Sequence, residues 1–160
     1  MTNTPIRPTD DAARQMVKDI LARSNHAALA VLHPDTGLPY VTRCALGLTK
    51  DGQAMSLISD LSLHTKALKN NQNCALLVGD APPKGDPLAF ARLTLNATAN
   101  FIDHGSPDHD TLRAHYLKTH PKAQLYVDFA DFRFVVFHAT SAALNAGFGK
   151  AYELSADDLI

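Results

Sequence analysis

Some segments of the chain alternate apolar and polar residues with the two-residue period of a β-strand, and others are short apolar runs. The alternation is longest over 90–101, where Arg92 and Thr94 fall on one face and Leu93 and Leu95 on the other. Successive side chains of a strand point to opposite faces, so this segment predicts a strand with one buried face and one face turned to water or a ligand. Five shorter segments also have strand character: 26–32, 39–48, 55–58, 74–78 and 132–140. Six strands joined by short helices predict a mainly β fold that forms a closed antiparallel barrel.

Helical signals interrupt the strand pattern near the start and in the second half of the chain. Apolar residues recur at spacings of three and four as far as Leu21, with Thr9 as the predicted N-cap and with Asp10 and Asp11 in the predicted first turn. This helix is expected to lie against the sheet. Further helical segments are predicted at 106–120 and 122–129, with a last helical turn after Ser155.

The strand-to-helix turn at 55–71 has the composition of an anion site. The strand ends in polar loop residues, and the helix that follows carries His64, Thr65 and Lys66 in its first turn. Backbone N–H groups at a helix start are unpaired, and with hydroxyls and a lysine beside them they favour a phosphate. The alternative is that Ser62 or Thr65 caps a surface helix and that Lys66 is solvated.

Composition and charge limit the classes of function. The chain has 160 residues, of which 46% are hydrophobic and 19% charged, as expected for one compact domain over 1–160 with a sizeable core. The formal net charge of −1 provides no global field for nucleic acid or an anionic membrane, and no apolar run approaches the roughly 20 residues that span a bilayer. A small molecule or another copy of the chain is the expected partner.

The start of the chain and the two cysteines bear on the cellular compartment. Residues 1–7 lack the apolar core of a secretory signal, and Cys44 and Cys74 form no C-x-x-C pair. A reducing compartment, the cytoplasm, is therefore expected.

The spacing of residues excludes several common chemistries. The eight histidines are scattered, with no H-E-x-x-H pattern and no cysteine at ligand spacing, so no metal site is expected. The glycines at 147 and 149 do not join a strand to a helix, and G-x-x-x-x-G-K-[ST] does not occur, which excludes Rossmann and P-loop sites. No serine or cysteine lies in a nucleophile-elbow context, and the sequence identifies no catalytic residue.

Five stretches of the chain, taken in order, carry a family resemblance. They are T-R-C-A-L at 42–46, L-I-S-D-L-S-L-H-T-K at 57–66, G-D-P-L at 85–88, A-R-L-T-L at 91–95 and N-A-G-F-G-K-A-Y at 145–152. Together they resemble the FMN-binding split-barrel superfamily of pyridoxamine 5'-phosphate oxidase, in the branch of short proteins similar to the HugZ-type haem-utilisation proteins. The resemblance extends over 26–152.

The resemblance implies a six-stranded antiparallel split barrel with flanking short helices, paired as a homodimer with one FMN in each of two interface grooves. Family members contact the FMN phosphate from an arginine on the second strand and from the start of the helix after the third strand. These positions correspond to Arg43, which strand alternation places among small or apolar neighbours, and to Thr65 and Lys66. Ser59 corresponds to the polar position that borders the flavin.

The phosphate-binding triplet of the oxidases is altered in this chain. Serine, arginine and lysine are replaced by His64, Thr65 and Lys66, so the lysine is kept and the arginine is lost. Arg92, on the polar face of the long strand, is the expected substitute. Its alternative role is a surface ion pair with a neighbouring carboxylate, an interaction that contributes little energy.

Two departures from the family bear on the reaction. The arginine-leucine-histidine signature that grips the substrate phosphate in the oxidases is replaced by K-A-Y-E-L at 150–154, so oxidation of pyridoxamine phosphate is not expected. Longer haem-degrading relatives have a tail histidine that resembles an iron ligand, whereas no histidine follows His138 here. Haem therefore stays an alternative ligand with no motif to support it.

The expected function is that of an FMN-dependent oxidoreductase, in which the flavin performs the redox chemistry and the protein supplies orientation, charge and solvent exclusion. FMN is expected rather than FAD because the chain has no glycine-rich turn for a pyrophosphate. Phe148 is expected to cover the ring or the substrate, and its alternative role is that of a core phenylalanine. Two other functions are left open: a haem-binding or haem-degrading protein, and a non-catalytic flavin carrier or sensor.

Overall fold

A computed structural model describes residues 6–159, whose framework is a nine-stranded sheet. The strands are β1 (Ile6–Arg7), β2 (His26–Leu32), β3 (Pro39–Ala45), β4 (Gly47–Leu48), β5 (Ala54–Ser59), β6 (Asn73–Val78), β7 (Arg92–Phe101), β8 (Phe132–Asn145) and β9 (Ala151–Ser155). The helices are α1 (Asp11–Arg23), α2 (Leu63–Asn70) and α3 (Pro107–Thr119), with 3-10 segments at Pro87–Ala89, Pro121–Leu125 and Ala156–Leu159. Residues 1–5 and 160 lie outside the described residues, and with them most of the segment 1–7 and both ends of the predicted domain 1–160.

The six predicted strand segments are all found, and two short strands add to them. The predicted segment 39–48 is divided at Leu46 into β3 and β4, and β8 continues to Asn145 beyond its predicted end at 140. β1 and β9 are additional strands that pair with each other in parallel. They were missed because two and five residues at the edges of the chain carry too little alternation to indicate a strand.

The barrel splits along β8. The first half of this strand, from Phe132 to Phe137, pairs with β5, and the second half, from Ser141 to Asn145, pairs on the same edge with β9. β7 occupies the other edge, and the sheet continues through β6 and β2 to β3. β4 meets β5 through only two residue pairs. The strands therefore curl around a common interior without closing, which confirms the split barrel and corrects the expectation of a closed one.

The three helices are short and have defined starts. α1 is capped by Asp10, whose carboxylate accepts the N–H of Ala13 at 2.8 Å, and not by Thr9 as predicted. The Thr9 hydroxyl instead donates to the carbonyl of Glu153 at 2.8 Å, which links the chain before α1 to β9. The carboxylate is better placed because it directly precedes the first helical residue. Among the described residues, no helix is long and apolar enough to cross a membrane.

The larger hydrophobic core fills the interior of the curled sheet. Inward-facing side chains such as Leu29, Leu76 and Leu93 are fully buried there, and Ile20 of α1 and Leu68 of α2 close the ends. A second cluster lies under α3 and is formed by Met55, Leu57, Tyr116, Ala123, Val127, Phe134 and Val136. Burying each large apolar side chain stabilises the fold by roughly 1.5 to 3 kcal/mol, so packing in the interior holds the strands together. The outer faces of the strands are not needed for this core.

Candidate functional site

The loop between β5 and α2 is held at its start by side-chain hydrogen bonds. The hydroxyl of Ser59, the last residue of β5, donates to Asp131 Oδ2 at 2.6 Å and accepts the N–H of Leu61 at 3.1 Å. Ser62 is the N-cap of α2, but its side chain makes no capping hydrogen bond. The strand-to-helix turn expected from the sequence is therefore present, and its helix begins without a side-chain cap that would occupy the first N–H groups.

Asp60, in the same loop, forms ion pairs with two basic side chains. Its carboxylate accepts a hydrogen bond from Lys69 Nζ at 2.7 Å and from Arg133 Nε at 2.7 Å. Burial alone would raise the pKa of Asp60, but these two donors outweigh it and lower that pKa below its ordinary value. This network has no signal in the sequence, since Arg133 lies on a distant strand and no local pattern connects it to the loop.

The three predicted side chains in the first turn of α2 have different surroundings. His64 is half-buried, and this desolvation lowers the pKa of its imidazole. Thr65 is fully buried on the same helix face as Leu68, and its Oγ1 has no hydrogen-bond partner in the part of the chain that the structure describes. Lys66 is exposed. An anion at this helix start would thus meet the lysine and backbone N–H groups, whereas the threonine hydroxyl lies below the surface.

Arg43 stands on the exposed face of β3 beside a groove of about 340 Å³. Strand pairing sets it opposite Ala28 of β2, which is opposite Leu77 of β6, so small and apolar side chains form the floor next to the guanidinium. His26 and Asp80 border the same groove, with His26 Nε2 2.8 Å from Asp80 Oδ2. This pair could not be predicted from the sequence, because a histidine in an apolar strand and an aspartate in a loop form no motif.

The courses of β3 and β5 bring Arg43 towards the start of α2. β4 and β5 are antiparallel neighbours, and just beyond their pairing the hydroxyl of Ser56 donates to the carbonyl of Ala45 at 2.6 Å. From this hydrogen bond towards one end of the barrel, β3 leads back to Arg43 and β5 leads on to Ser59. The predicted arginine and the predicted helix start therefore lie towards the same end of the barrel.

Arg92 occupies a different part of the sheet. Its Nη1 donates to the carbonyls of Leu88 at 3.3 Å and Phe90 at 3.4 Å, so the guanidinium holds the loop before β7. β7, β6, β2 and β3 are successive neighbours, which puts three strand spacings, about 14 Å, between the strands of Arg92 and Arg43. A single chain does not bring these two arginines together around one phosphate.

Phe148 lies at the tip of the turn between β8 and β9 and is 72% exposed. Gly147 supports this turn with a φ of +101°, and a Cβ at that position would lie 2.9 Å from the carbonyl oxygen of Ala89. The turn is thus fastened close to the segment before β7, and the side chain of Phe148 is presented to its surroundings. The alternative of a core phenylalanine is wrong.

A face of small and apolar side chains is exposed on the outer side of β2, β3, β6 and β7. Val41 is 62% exposed and Leu77 is 48% exposed, although both belong to the sheet. Leu77 pairs with Ala28 and Thr94, and Val41 pairs with Ala30, which pairs in turn with Ala75. The exposed amide of Asn96, opposite Ala75, borders this face. Contiguous exposed apolar surface of this kind marks interaction sites, and we call these six residues, without Asn96, the outer face.

The sequence of this chain is similar to those of known proteins. Residues 13–145 match the family described as pyridoxamine 5'-phosphate oxidase. Over 116 residues the chain is 34% identical to the non-canonical heme oxygenase HOZ, a chloroplastic protein of Arabidopsis thaliana, and the match covers 72% of this chain and 34% of the plant protein. The chain thus spans about a third of that relative's length.

Solved structures give the same result for the fold. A heme binding protein from Mycobacterium smegmatis superimposes with a TM-score of 0.84 at 25% identity, over 96% of this chain and 61% of that chain. A protein of unknown function from Agrobacterium tumefaciens superimposes with a TM-score of 0.80 at 29% identity, over 98% and 64% of the two chains. Nearly all of this chain is matched, while less than two thirds of each neighbour is covered.

Proposed function

The chain belongs to the pyridoxamine 5'-phosphate oxidase family, and from that premise we propose that it binds FMN at a homodimer interface and acts as an FMN-dependent oxidoreductase. The observation that carries the proposal is the outer face, an exposed apolar surface with the cation Arg43 beside it. Leaving such a surface in water costs about 25 cal/mol per Å². A second copy of the chain and a flat flavin ring would together cover it.

The groups at one end of the outer face suit the phosphate of FMN. Arg43 and Lys66 are exposed, and neither forms an ion pair with another described residue. Their two positive charges match a phosphate dianion, and the uncapped start of α2 adds N–H donors. The hydroxyl of Thr65 lies below the surface in the same turn, so this residue would contact the phosphate through its backbone N–H. These residues fit FMN, and each charged contact to the phosphate would be worth about 1.5 to 3 kcal/mol.

Bound FMN would supply the redox chemistry, and the residues of the chain would bind it, orient it and exclude water. In this proposal Arg43 and Lys66 hold the phosphate, while Ser59, fixed by Asp131, borders the ring. Phe148, exposed at its fastened turn, covers the flavin from the partner copy. No side chain is assigned as a general base.

His64 and Arg92, the other two predicted contact residues, have secondary roles in FMN binding. His64, half-buried in the first turn of α2, lies beside the phosphate in this proposal, and desolvation lowers the pKa of its ring. Arg92 contacts the FMN that is held by Arg43 and Lys66 of the other copy, since its strand is too far from that of Arg43 for both arginines to bind one phosphate within one chain. The substrate is proposed to differ from pyridoxamine phosphate, because K-A-Y-E-L stands in place of the phosphate-gripping signature.

The absorbance spectrum of the freshly purified protein tests the proposal. Oxidised FMN, haem and empty protein have distinct spectra, and extraction of the ligand identifies it. We expect the mononucleotide, followed by bleaching of its absorbance when NADH or NADPH is added anaerobically. A protein that neither retains nor rebinds FMN would refute the proposal, while a flavin that is bound but never reduced would leave the carrier or sensor function.

Haem binding is the second candidate function, because two of the matched proteins are named for haem. The groove beside Arg43 contains a histidine, His26, whose partner Asp80 resembles the carboxylate that commonly orients an iron-ligating imidazole. One of the two ring nitrogens of His26 would give up its present hydrogen-bond partner and bind the iron. Titration with haem should then give a Soret band that is lost in His26→Ala. An unchanged band in that variant would exclude His26 as the iron ligand, and no shifted band in the unaltered chain would exclude haem.

The domain organisation and the cellular location of the chain complete the proposal. We propose that the described residues and the flanking 1–5 and 160 form a single FMN-binding domain. Cys44 and Cys74 are both free thiols. This state fits the cytoplasmic location that we propose, in which thiols are kept reduced.

A further inference from the structure

A cavity of about 380 Å³ opens between α1 and the turn that joins β4 to β5. Its walls are apolar side chains that belong to the large core, among them Val17 and Leu21 of α1, Leu95 of β7 and Phe137 of β8. None of the residues assigned to the flavin lines this cavity. Its size is that of a small-molecule site, and water is poorly held in a space with apolar walls.

The rim of the cavity carries charged side chains from α1, from the turn between β4 and β5, and from the last 3-10 segment. Arg14 is neutralised, since it donates to Asp158 Oδ1 from Nε at 3.0 Å and from Nη2 at 2.8 Å, and to Asp11 from Nη1 at 2.8 Å. Lys18 and Lys50 are exposed on the same rim, and neither forms an ion pair within the described chain.

The charged side chains on the rim that have no ion-pair partner indicate the charge of the ligand. Asp158 is used by Arg14 and also accepts from the N–H and hydroxyl of Ser155, both at 2.9 Å. Lys18, Lys50 and Asp51 are then the charges without such partners, and their sum is one positive charge. An apolar chamber with a singly cationic rim suits a molecule with an apolar body and one negative end.

We propose that this cavity binds a small amphipathic monocarboxylate, separate from the flavin site. Its apolar part lies between α1 and the barrel end, where it contacts Val17, Leu95 and Phe137. Its carboxylate accepts hydrogen bonds from Lys18 and Lys50 at the rim.

Octanoate is a suitable probe, and octanol, with the same tail and no charge, is the matched ligand. Titration of the full chain followed by methyl NMR should give saturable shifts at Val17, Leu21 and Leu95 with octanoate. Octanol should bind about tenfold more weakly or worse, because it lacks the charge-assisted contacts. Shifts confined to other methyl groups, equal binding of the two probes, or no saturation by millimolar octanoate would each refute the proposal.

Two variants locate the site, and a third controls for charge. Lys18→Glu combined with Lys50→Glu should weaken octanoate by about tenfold or more while leaving octanol unchanged. Ala139→Leu, which adds volume to the cavity wall, should weaken both probes. Lys84→Glu replaces one lysine by glutamate on an exposed loop away from the cavity, which is half the charge change of the double variant, and should leave octanoate binding unchanged. FMN affinity should be the same in all three variants, and loss of octanoate binding in Lys84→Glu as well would overturn the assignment to this rim.

Discussion

Arg133 Nε lies 2.7 Å from Asp60 Oδ2, so the loop in front of α2 is fastened to the start of β8. The neighbouring Ser59 is fastened to the same region through Asp131. The helix start proposed to hold the flavin phosphate is therefore positioned by a distant strand. Flavin affinity and the stability of this corner of the barrel should respond to the same residues.

Asp60→Asn is expected to lower the free energy of unfolding by about 1 to 2 kcal/mol, because it weakens two charge-assisted hydrogen bonds at a partly exposed site. For a chain of this size the thermal midpoint should fall by roughly 2 to 8 °C. Calorimetry measures the shift. Asp35→Asn, in an exposed turn, is the matched control and should change stability by less than about 0.5 kcal/mol. Equal midpoints for the two variants would contradict the fastening role of Asp60.

Acid should destabilise the protein through the same carboxylate. Lys69 and Arg133 outweigh burial and hold the pKa of Asp60 below its ordinary value, so this group binds fewer protons when the chain is folded. Its stabilisation is complete above the unfolded pKa of about 3.9 and is lost as the pH falls through the folded pKa. Urea unfolding at pH 5 and pH 3 should show a smaller loss of stability for Asp60→Asn than for the unaltered chain. Identical losses would show that Asp60 does not contribute.

The strands could be predicted from the sequence because short apolar runs and alternation are local properties. The predicted segment 26–32 is the observed strand His26–Leu32, and the outward position of Arg43 follows from the period of two. The start of α2 could also be predicted, since hydroxyls and a lysine next to an apolar strand are read within a few residues.

What the sequence could not predict depends on long-range pairing. The contacts of Asp60 with Arg133 and of His26 with Asp80 join segments that no local pattern connects. The burial of Thr65 is another example, because the rotation of α2 is set by packing of its apolar face and not by its polar residues.

Lys66→Ala and Arg43→Ala should each weaken FMN binding by roughly tenfold to a hundredfold, since each removes a charge-assisted contact to phosphate worth about 1.5 to 3 kcal/mol. The fold should be retained, because both side chains are exposed. Flavin fluorescence titration gives the affinities. Lys69→Ala removes a lysine from the same helix that is already held by Asp60, and it should leave the affinity nearly unchanged. If both test variants bind as tightly as the unaltered chain, the phosphate lies elsewhere.

Thr65→Val should leave FMN affinity within about twofold and keep or raise the thermal midpoint. The hydroxyl is buried without a partner among the described residues, so replacing it with a methyl group of similar shape removes an unsatisfied polar atom. The backbone N–H that an anion would use is unaffected. Titration and calorimetry on one preparation measure both quantities. A large loss of FMN affinity would mean that the hydroxyl turns towards the ligand on binding, as the family resemblance implies.

Leu77→Lys should break the proposed dimer and weaken FMN together. Leu77 is 48% exposed at the centre of the outer face, so a lysine there costs the single chain little but places a charge in an apolar interface. Leu125→Lys makes the same change at a site 79% exposed outside that face and should preserve the dimer. Light scattering with and without FMN should show a dimer for the unaltered chain and for Leu125→Lys, and a monomer with weakened flavin binding for Leu77→Lys. FMN should also raise the thermal midpoint of the dimer by mass action, since it binds the folded state. An unaltered chain that binds FMN stoichiometrically as a monomer at micromolar concentration would rule out a site shared between two copies.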